Sequence, residues 1–363
     1  MIRSVWGGEV ERYFSFPSLF KEEVKLPFIA DILKYKSVAI VGLAKNTGKT
    51  VCLNYVLQRL SRMKETVAIT SIGVDGELTD RVTSTPKPQI TIYRNMLFVT
   101  AEVHYLQKRL VSEVLDISKK HTALGRLVTA RAVQPGKVLI SGPADTAGVR
   151  ELIDSLRQKG VHTTIVDGAL SRMSLASPAV TEGLILATGA AFSANIPQLI
   201  RKTKYVKRLI ELPLIQESWI PKLATIKSGI WAIDDDGNAY DLEIASVFLI
   251  EKREKDLFRF GTRLLINGAI SDRLLSFLKL QQRNVELIVT DFSKIFATQE
   301  VFEAFTREGN RMYSLLRSNL IAITANPYSP AGFILDSHSL CDQMSQELQI
   351  PVYDIKRLSG EQI

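Results

Sequence analysis

Apolar runs typical of β-strands alternate with helical patterns along most of this 363-residue chain. In its first part, strand patterns lie at 38–42, 66–72, 90–93, 97–100, 137–141, 163–167, 184–188 and 207–211, and helical patterns lie at 49–63, 102–118, 147–159 and 195–203. Continuous β-branched runs separated by helices are typical of a parallel sheet whose two faces are both covered. The pattern therefore predicts an α/β fold with a doubly wound, mostly parallel sheet.

The pattern changes near Pro213. Residues 223–251 predict a small antiparallel insert, which turns at the aspartate-rich segment 234–238. No glutamate stands at the twelfth position of a calcium loop, so we expect a solvated turn there. The alternation then resumes, with strand patterns at 263–268, 285–291, 320–327 and 351–355 and helical patterns at 271–282, 299–308 and 339–347. These elements predict a second, smaller α/β domain.

The segment VAIVGLAKNTGKT at 38–50 carries the strongest chemical signal. A β-type run that enters a glycine-containing turn and opens a helix with Gly48, Lys49 and Thr50 is the layout of a phosphate-binding loop, or P-loop. The backbone N–H groups of such a loop converge on phosphate oxygens, and Asn46 and Thr47 would supply loop amides and polar caps. Lys49 would reach the β- and γ-phosphates, and the Thr50 hydroxyl would bind Mg²⁺.

The loop is one residue longer than the usual pattern, because five residues separate Gly42 from Gly48. Two interpretations are open. Either Leu43 takes the place of the first glycine, or Gly42 is the first glycine of a longer loop.

The loop and the change of pattern predict a domain organisation. We expect an N-terminal lead-in at 1–36, a P-loop nucleotide-binding domain at 37–215, a small β-rich connector at 216–260 and a C-terminal α/β domain at 261–363.

Acidic residues follow two of the predicted strands at the edge where doubly wound sheets bind ligands. Asp167 follows the apolar run TTIV and is our candidate for the Mg²⁺ ligand, although an Asp-Gly turn that ends a strand is the alternative. Asp75 and Glu77 follow the second strand. We assign Asp75 as a second metal ligand and either residue as the group that orients or deprotonates water, against the alternative of a polar surface loop.

Other polar residues follow the same strands. Lys45, inside the loop, would contact phosphate either in its own subunit or across a homodimer. Arg172 and Ser177, in the segment after Asp167, are candidates for contacting phosphate or for sensing its loss, as switch segments do; an ordinary loop is the alternative.

Composition narrows the class of protein. Apolar residues make up 46% and charged residues 23% of the chain, which is typical of a globular protein. Lys and Arg (46) exceed Asp and Glu (38), but they are spread out, and the densest cluster at 201–208 is interpreted as a solvated helix face. We therefore expect no nucleic-acid partner. The amino terminus has no apolar signal segment and no run is long enough for a membrane span, so we expect a cytoplasmic location.

Over residues 38–212 the chain resembles dethiobiotin synthetase and the cobyrinate and cobyrate amidases, which are P-loop proteins of the SIMIBI class. The resemblance lies in the long loop and in Asp167, which is followed by Gly and Ala. It implies ATP and Mg²⁺ as ligands and Asp167 as the residue that holds the metal. Two features depart from the pattern: Ser71 and its neighbours stand where the synthetases have a lysine, and Cys341 lies on a predicted helix, away from any Gly-flanked elbow. Ring closure and amidation therefore lack their expected residues.

A second resemblance covers four motifs, which read GLAKNTGKT at 42–50, TSIGVDGE at 70–77, VDGALSRMSLASP at 166–178 and ILATGAAFS at 185–193. Together they are similar to the P-loop subunit of the reactivase system of lysine 5,6-aminomutase and its ornithine relative. That resemblance implies ATP-driven exchange of a damaged cobalamin cofactor, with the aminomutase and a second ATPase subunit as protein partners.

Three functions are consistent with these residues. The first is a conformational ATPase that reactivates a cobalamin-dependent aminomutase; it needs phosphate binding, Mg²⁺ and switch segments, but no substrate nucleophile. The second is an ATP-dependent ligase or kinase that acts on a small carboxylate. The third is a nucleotide-gated binding module with negligible hydrolysis. The absence of an Asn-Lys-x-Asp stretch favours ATP over GTP.

Overall fold

The computed structural model describes residues 27–72, 90–169, 177–178 and 180–360. The strands are β1 Ser37–Gly42, β2 Val67–Ser71, β3 Ile90–Ile92, β4 Leu97–Ala101, β5 Ser112–Thr122, β6 Gly125–Ala132, β7 Gly136–Val138, β8 Thr163–Ala169, β9 Gly183–Gly189, β10 Ile230–Ile233, β11 Ala239–Ile244, β12 Arg263–Ile266, β13 Glu286–Val289, β14 Arg311–Ser314, β15 Asn319–Asn326 and β16 Val352–Tyr353. The helices are α1 Ile29–Ile32, α2 Lys49–Leu60, α3 Glu102–Leu106, α4 Thr146–Gln158, α5 Ile196–Ile210, α6 Ile220–Leu223, α7 Glu254–Leu257, α8 Asp272–Lys279, α9 Gln299–Arg307, α10 Ser337–Leu348 and α11 Ile355–Ser359.

A nine-stranded sheet forms the centre of the molecule, in the order β16-β15-β9-β1-β8-β2-β4-β6-β5. The pairs from β16 to β4 are parallel, and β6 and β5 add an antiparallel hairpin at one edge. Every residue of β1, β4 and β9 is buried, as expected for strands covered on both faces. The predicted α/β fold with a doubly wound, mostly parallel sheet is confirmed.

A second sheet of five strands has the order β11-β10-β12-β13-β14. β12, β13 and β14 are parallel, while β10 and β11 form an antiparallel hairpin. The hairpin turns at the predicted aspartate-rich segment, where the Asp234 carboxylate accepts bonds from the backbone N–H groups of Asp236 (3.0 Å) and Asn238 (2.7 Å). The expected antiparallel insert is therefore present, as part of the same sheet as the α/β strands that follow it.

The strands near residues 320 and 352 belong to a different sheet from the one that was predicted. They were expected in the C-terminal domain, but β15 pairs in parallel with β9, and β16 pairs with β15, in the nine-stranded sheet. The chain thus leaves the large sheet after α5, builds the second sheet and returns. The pattern could not reveal this return, because an apolar strand looks the same in either sheet.

Two further local predictions are wrong. The strand expected at 207–211 belongs mostly to α5, and the helix expected at 102–118 is the short α3 followed by β5. β5 shifts register twice against β6, so its partly buried positions lie at 112, 115, 118 and 122. That spacing of three to four residues resembles the period of a helix, which explains the wrong prediction.

One continuous cluster of buried apolar side chains joins the two sheets. It includes residues of β1, β9 and β15 on one side, residues of β10, β12 and β13 on the other, and residues of α5, α8, α9 and α10. On the opposite face of the large sheet, β1 packs against α2 in a second cluster. The second sheet is therefore held against the nine-stranded sheet by a shared core.

None of the helices in the described ranges is long and apolar enough to cross a membrane.

Both cysteine thiols are buried, Cys52 on α2 and Cys341 on α10. Burial raises the pKa of Cys52 to about 12 and the pKa of Cys341 to about 11. The thiolate is the reactive form of cysteine. We therefore expect both cysteines to react very slowly with a thiol reagent in the native protein at pH 8, and to react readily once the protein is unfolded in denaturant. Above the ordinary thiol pKa the unfolded chain loses these protons while the folded protein keeps them, so the free energy of unfolding should fall as the pH rises through that range.

A colorimetric thiol titration, with Cys52→Ser to assign the signal, measures this accessibility. Rapid reaction of Cys52 in the native protein would contradict the packing of α2 described above.

Candidate functional site

The loop begins where β1 ends. Leu43 is fully buried and donates its backbone N–H to the carbonyl of Ala187 on β9 at 2.8 Å, so it continues the strand. A Cβ on Gly42 would lie 2.8 Å from Thr47 Oγ1. The loop therefore comes close to the strand at Gly42, where a side chain would crowd Thr47. This geometry favours the interpretation in which Gly42 is the first glycine of a longer loop.

The loop closes on itself before α2. The buried Thr47 donates its hydroxyl to the carbonyl of Ala44 at 2.9 Å. Asn46 and Gly48 adopt left-handed conformations, with φ of 65° and 85°. Asn tolerates this region better than most residues, and glycine adopts it without cost. The turn between β1 and α2 thus depends on the residue types at these two positions.

The amino terminus of α2 is left open for a ligand. Gly48 is its N-cap residue and has no side chain to cap the helix, whereas Asp145 caps α4 by accepting a bond from Gly148 N at 2.7 Å. The first N–H groups of a helix have no partner within the helix, and the helix dipole makes that end positive. An uncapped end of this kind is suited to a phosphate.

Lys49, the first residue of α2, forms an ion pair with Asp167. Lys49 Nζ lies 2.5 Å from Asp167 Oδ1, with 25% and 21% of the two side chains exposed. β8 lies between β1 and β2 and pairs Asp167 with Ile40 on one side and with Ser71 on the other. The sheet therefore brings Asp167, the predicted metal ligand, into contact with Lys49, the predicted phosphate ligand, and Thr50 follows Lys49 in the first turn of α2.

Asn326, at the end of β15, is the site residue that the sequence analysis missed. Its Nδ2 donates to the carbonyl of Asn46 in the loop at 3.0 Å. A Cβ on Gly48 would lie 3.0 Å from the Asn326 Cβ, so the two residues are in close contact. The available signal was an Asn-Pro step directly after an apolar strand, but that strand was assigned to another domain.

A small pocket opens beside the loop. It is lined by residues 47–48 and Val51, by the carboxyl end of β15 and by residues 354–356 at the start of α11. Both oxygens of Asp354 are already engaged, since they accept bonds from Ser337 Oγ at 2.6 Å and from the backbone N–H of Lys356 at 3.0 Å. The Lys356 ammonium lies 4.5 Å from the centroid of the Tyr328 ring.

Ser177 contacts the part of the chain that carries the second sheet. Its hydroxyl donates to Asp291 Oδ2 at 2.7 Å, and both residues are buried. The other oxygen of Asp291 accepts a bond from Ser293 N at 2.9 Å, in the loop after β13. A few residues further along the same loop, the carbonyl of Ala297 accepts a bond from the Tyr205 hydroxyl on α5 at 2.6 Å. Two buried or half-buried hydrogen bonds therefore join this loop to the larger sheet and its helices.

Three of the predicted site residues, Asp75, Glu77 and Arg172, lie outside the described residues. Lys45 is exposed on the loop. Within the described ranges, no group of three or more His, Cys, Asp or Glu residues could hold a metal ion. A metal at Thr50 and Asp167 would therefore take further ligands from phosphate, water or the undescribed residues, which suits Mg²⁺.

No family model and no curated protein matches this chain. Among solved structures, the chain is similar to the structure of pNOB8 ParA bound to nonspecific DNA, with a TM-score of 0.25 and 10% sequence identity over 90% of this chain and 99% of that one. A TM-score this low does not establish a shared fold.

Proposed function

We propose that this protein binds ATP with Mg²⁺ at the loop 42–50 and hydrolyses it to drive a conformational change. The observation that supports this proposal most directly is the 2.5 Å contact between Lys49 Nζ and Asp167 Oδ1 at the amino end of α2, where no side chain caps the helix. In the proposed complex Lys49 would bind phosphate, Asp167 would bind the metal and the first N–H groups of α2 would bind phosphate oxygens, which are three of the elements used in phosphoryl transfer.

The contact also suggests how the site responds to nucleotide. Lys49 and Asp167 neutralise each other in this structure. The triphosphate would bind to the loop N–H groups and attract Lys49, which would release the Asp167 carboxylate to hold the metal with the Thr50 hydroxyl. Bound Mg²⁺ would neutralise charge that develops on the phosphate oxygens. We assign the orientation of the attacking water to Asp75 or Glu77, which follow β2.

The preference for ATP over GTP is proposed from the sequence, which has no Asn-Lys-x-Asp stretch of the kind that recognises guanine. Competition by ATP and GTP for the same site would measure this preference.

The second sheet is the part that we propose transmits the nucleotide state. It shares a continuous core with the P-loop sheet, and the bond from Ser177 to Asp291 joins it to the segment that follows Asp167. A change at the phosphate site on hydrolysis would reach the second sheet through such packed and hydrogen-bonded contacts. We propose a cobalamin-dependent aminomutase, alone or with a second ATPase subunit, as the partner, on the basis of the motif resemblance. Lys45, exposed on the loop, would contact phosphate in its own subunit or across a homodimer.

Steady-state phosphate release tests this function. We expect slow, Mg²⁺-dependent release by the protein alone and faster release when an aminomutase with inactivated cobalamin is added. The control replaces the aminomutase with an unrelated protein of similar size.

The alternatives give different results. Release that depends on a small carboxylate, with no protein partner, would identify a ligase or kinase. Tight ATP binding without release would identify a nucleotide-gated binding module.

A further inference from the structure

We propose that Asn326 is a positioning residue that holds the phosphate loop in its binding conformation from the far end of the sequence. This inference rests on the proposed nucleotide site, and it assigns Asn326 a role that does not involve the nucleotide base.

Both hydrogen-bond donors of the Asn326 side chain are used within the protein. Its Nδ2 group has two N–H donors, and it donates to Asn46 O at 3.0 Å and to Tyr328 O at 3.2 Å. Its Oδ1 accepts a bond from Tyr328 N at 3.3 Å. The carboxamide therefore joins the loop to the residues that follow β15, and no donor is left for a base.

The backbone of Asn326 is itself fixed by the neighbouring strand. It pairs with Gly189 at the end of β9, and its carbonyl accepts a bond from Ala190 N at 2.8 Å. A Cβ on Gly189 would lie 2.2 Å from that carbonyl oxygen, so the two strands approach as closely as glycine allows. Because the sheet holds the backbone of Asn326, its side chain can act as a rigid tether.

The tether acts on the strained part of the loop. It holds the carbonyl of Asn46, a residue with φ of 65°, and it packs against Gly48, the N-cap of α2. Fixing this peptide sets the direction of the loop N–H groups before phosphate arrives. Such preorganisation reduces the ordering cost of binding. Its loss should weaken the binding of any triphosphate chain, whatever base is attached.

The decisive experiment compares two ligands by calorimetry, MgATP and magnesium tripolyphosphate. Asn326→Leu keeps a similar side-chain size, adds no charge and cannot donate to Asn46 O. We expect it to weaken both ligands by the same factor, about tenfold, as for the loss of one well-placed hydrogen bond. Asn319→Ala is the matched control, because Asn319 lies at the other end of β15 and donates to Glu182 O at 2.9 Å. It should change neither affinity.

Each other outcome overturns the inference. A loss confined to MgATP would show that Asn326 contacts the base, and unchanged binding of both ligands would show that the loop needs no tether. If the wild-type protein binds neither ligand, the proposed function fails as well. Thermal unfolding confirms that each variant is folded, and Asn326→Ala replaces the leucine variant if that variant does not fold.

Discussion

Lys49→Ala is expected to weaken the binding of MgATP by about 100-fold or more, while the fold is retained. In the proposed complex the Lys49 ammonium bonds to the β- and γ-phosphates, and two charge-assisted hydrogen bonds are worth roughly 1.5–3 kcal/mol each. Calorimetry or a fluorescent nucleotide measures the affinity.

The fold should survive this substitution, because the Lys49 side chain is a quarter exposed and lies in the first turn of α2, where alanine is well tolerated. Lys64→Ala is the matched control. Lys64 is an exposed lysine just before β2, at the opposite end of the strands from the loop, so its loss should leave ATP affinity unchanged. Wild-type ATP affinity in the Lys49 variant would count against the whole site assignment.

The second large effect is expected for stability, from Gly142→Ala. A Cβ at this position would lie 1.8 Å from Ser71 O and 2.9 Å from Thr70 Oγ1. Backbone atoms cannot move aside as the end of a side chain can, so β2 must shift or the segment after β7 must move away. Overpacking of this kind costs about 3 kcal/mol. Because Ser71 Oγ donates to Asp167 O at 3.1 Å, the shift should also disturb the candidate site.

Gly268→Ala is the control for the loss of glycine itself. Its nearest neighbour is a side-chain atom, Val247 Cγ1, at 3.0 Å, which can rotate away. Chemical denaturation of the two variants measures the difference, and we expect the midpoint to fall clearly for Gly142→Ala and little for Gly268→Ala. Equal midpoints would mean that the contact with Ser71 relaxes without cost.

Much of the fold was predictable because the strands and helices of a parallel α/β structure each have a characteristic pattern of apolar residues. β1, α2, β8 and β9 lie within a few residues of their predicted bounds, since each is buried on both faces or on one helical face. β5 was predicted wrongly because its register shifts give a strand the spacing of a helix.

The candidate site was predictable where its residues share an edge of the sheet. Lys49 follows β1, and Asp167 lies on the neighbouring strand β8, so the carboxyl ends of parallel strands bring them together. Asn326 could not be found in this way, since nothing in the sequence pattern states that β15 pairs with β9.

The sequence by itself determined the candidate phosphate loop, the candidate metal ligand Asp167 and the alternation that builds a parallel sheet. These features depend on consecutive residues and on periods of two or 3.6, which any reader of the chain can count. The tertiary structure alone decided that β15 returns to the large sheet, that Asn326 holds the loop and that Ser177 meets Asp291. Those contacts join residues more than a hundred positions apart, and their partners are chosen by packing and by hydrogen-bond geometry rather than by local pattern.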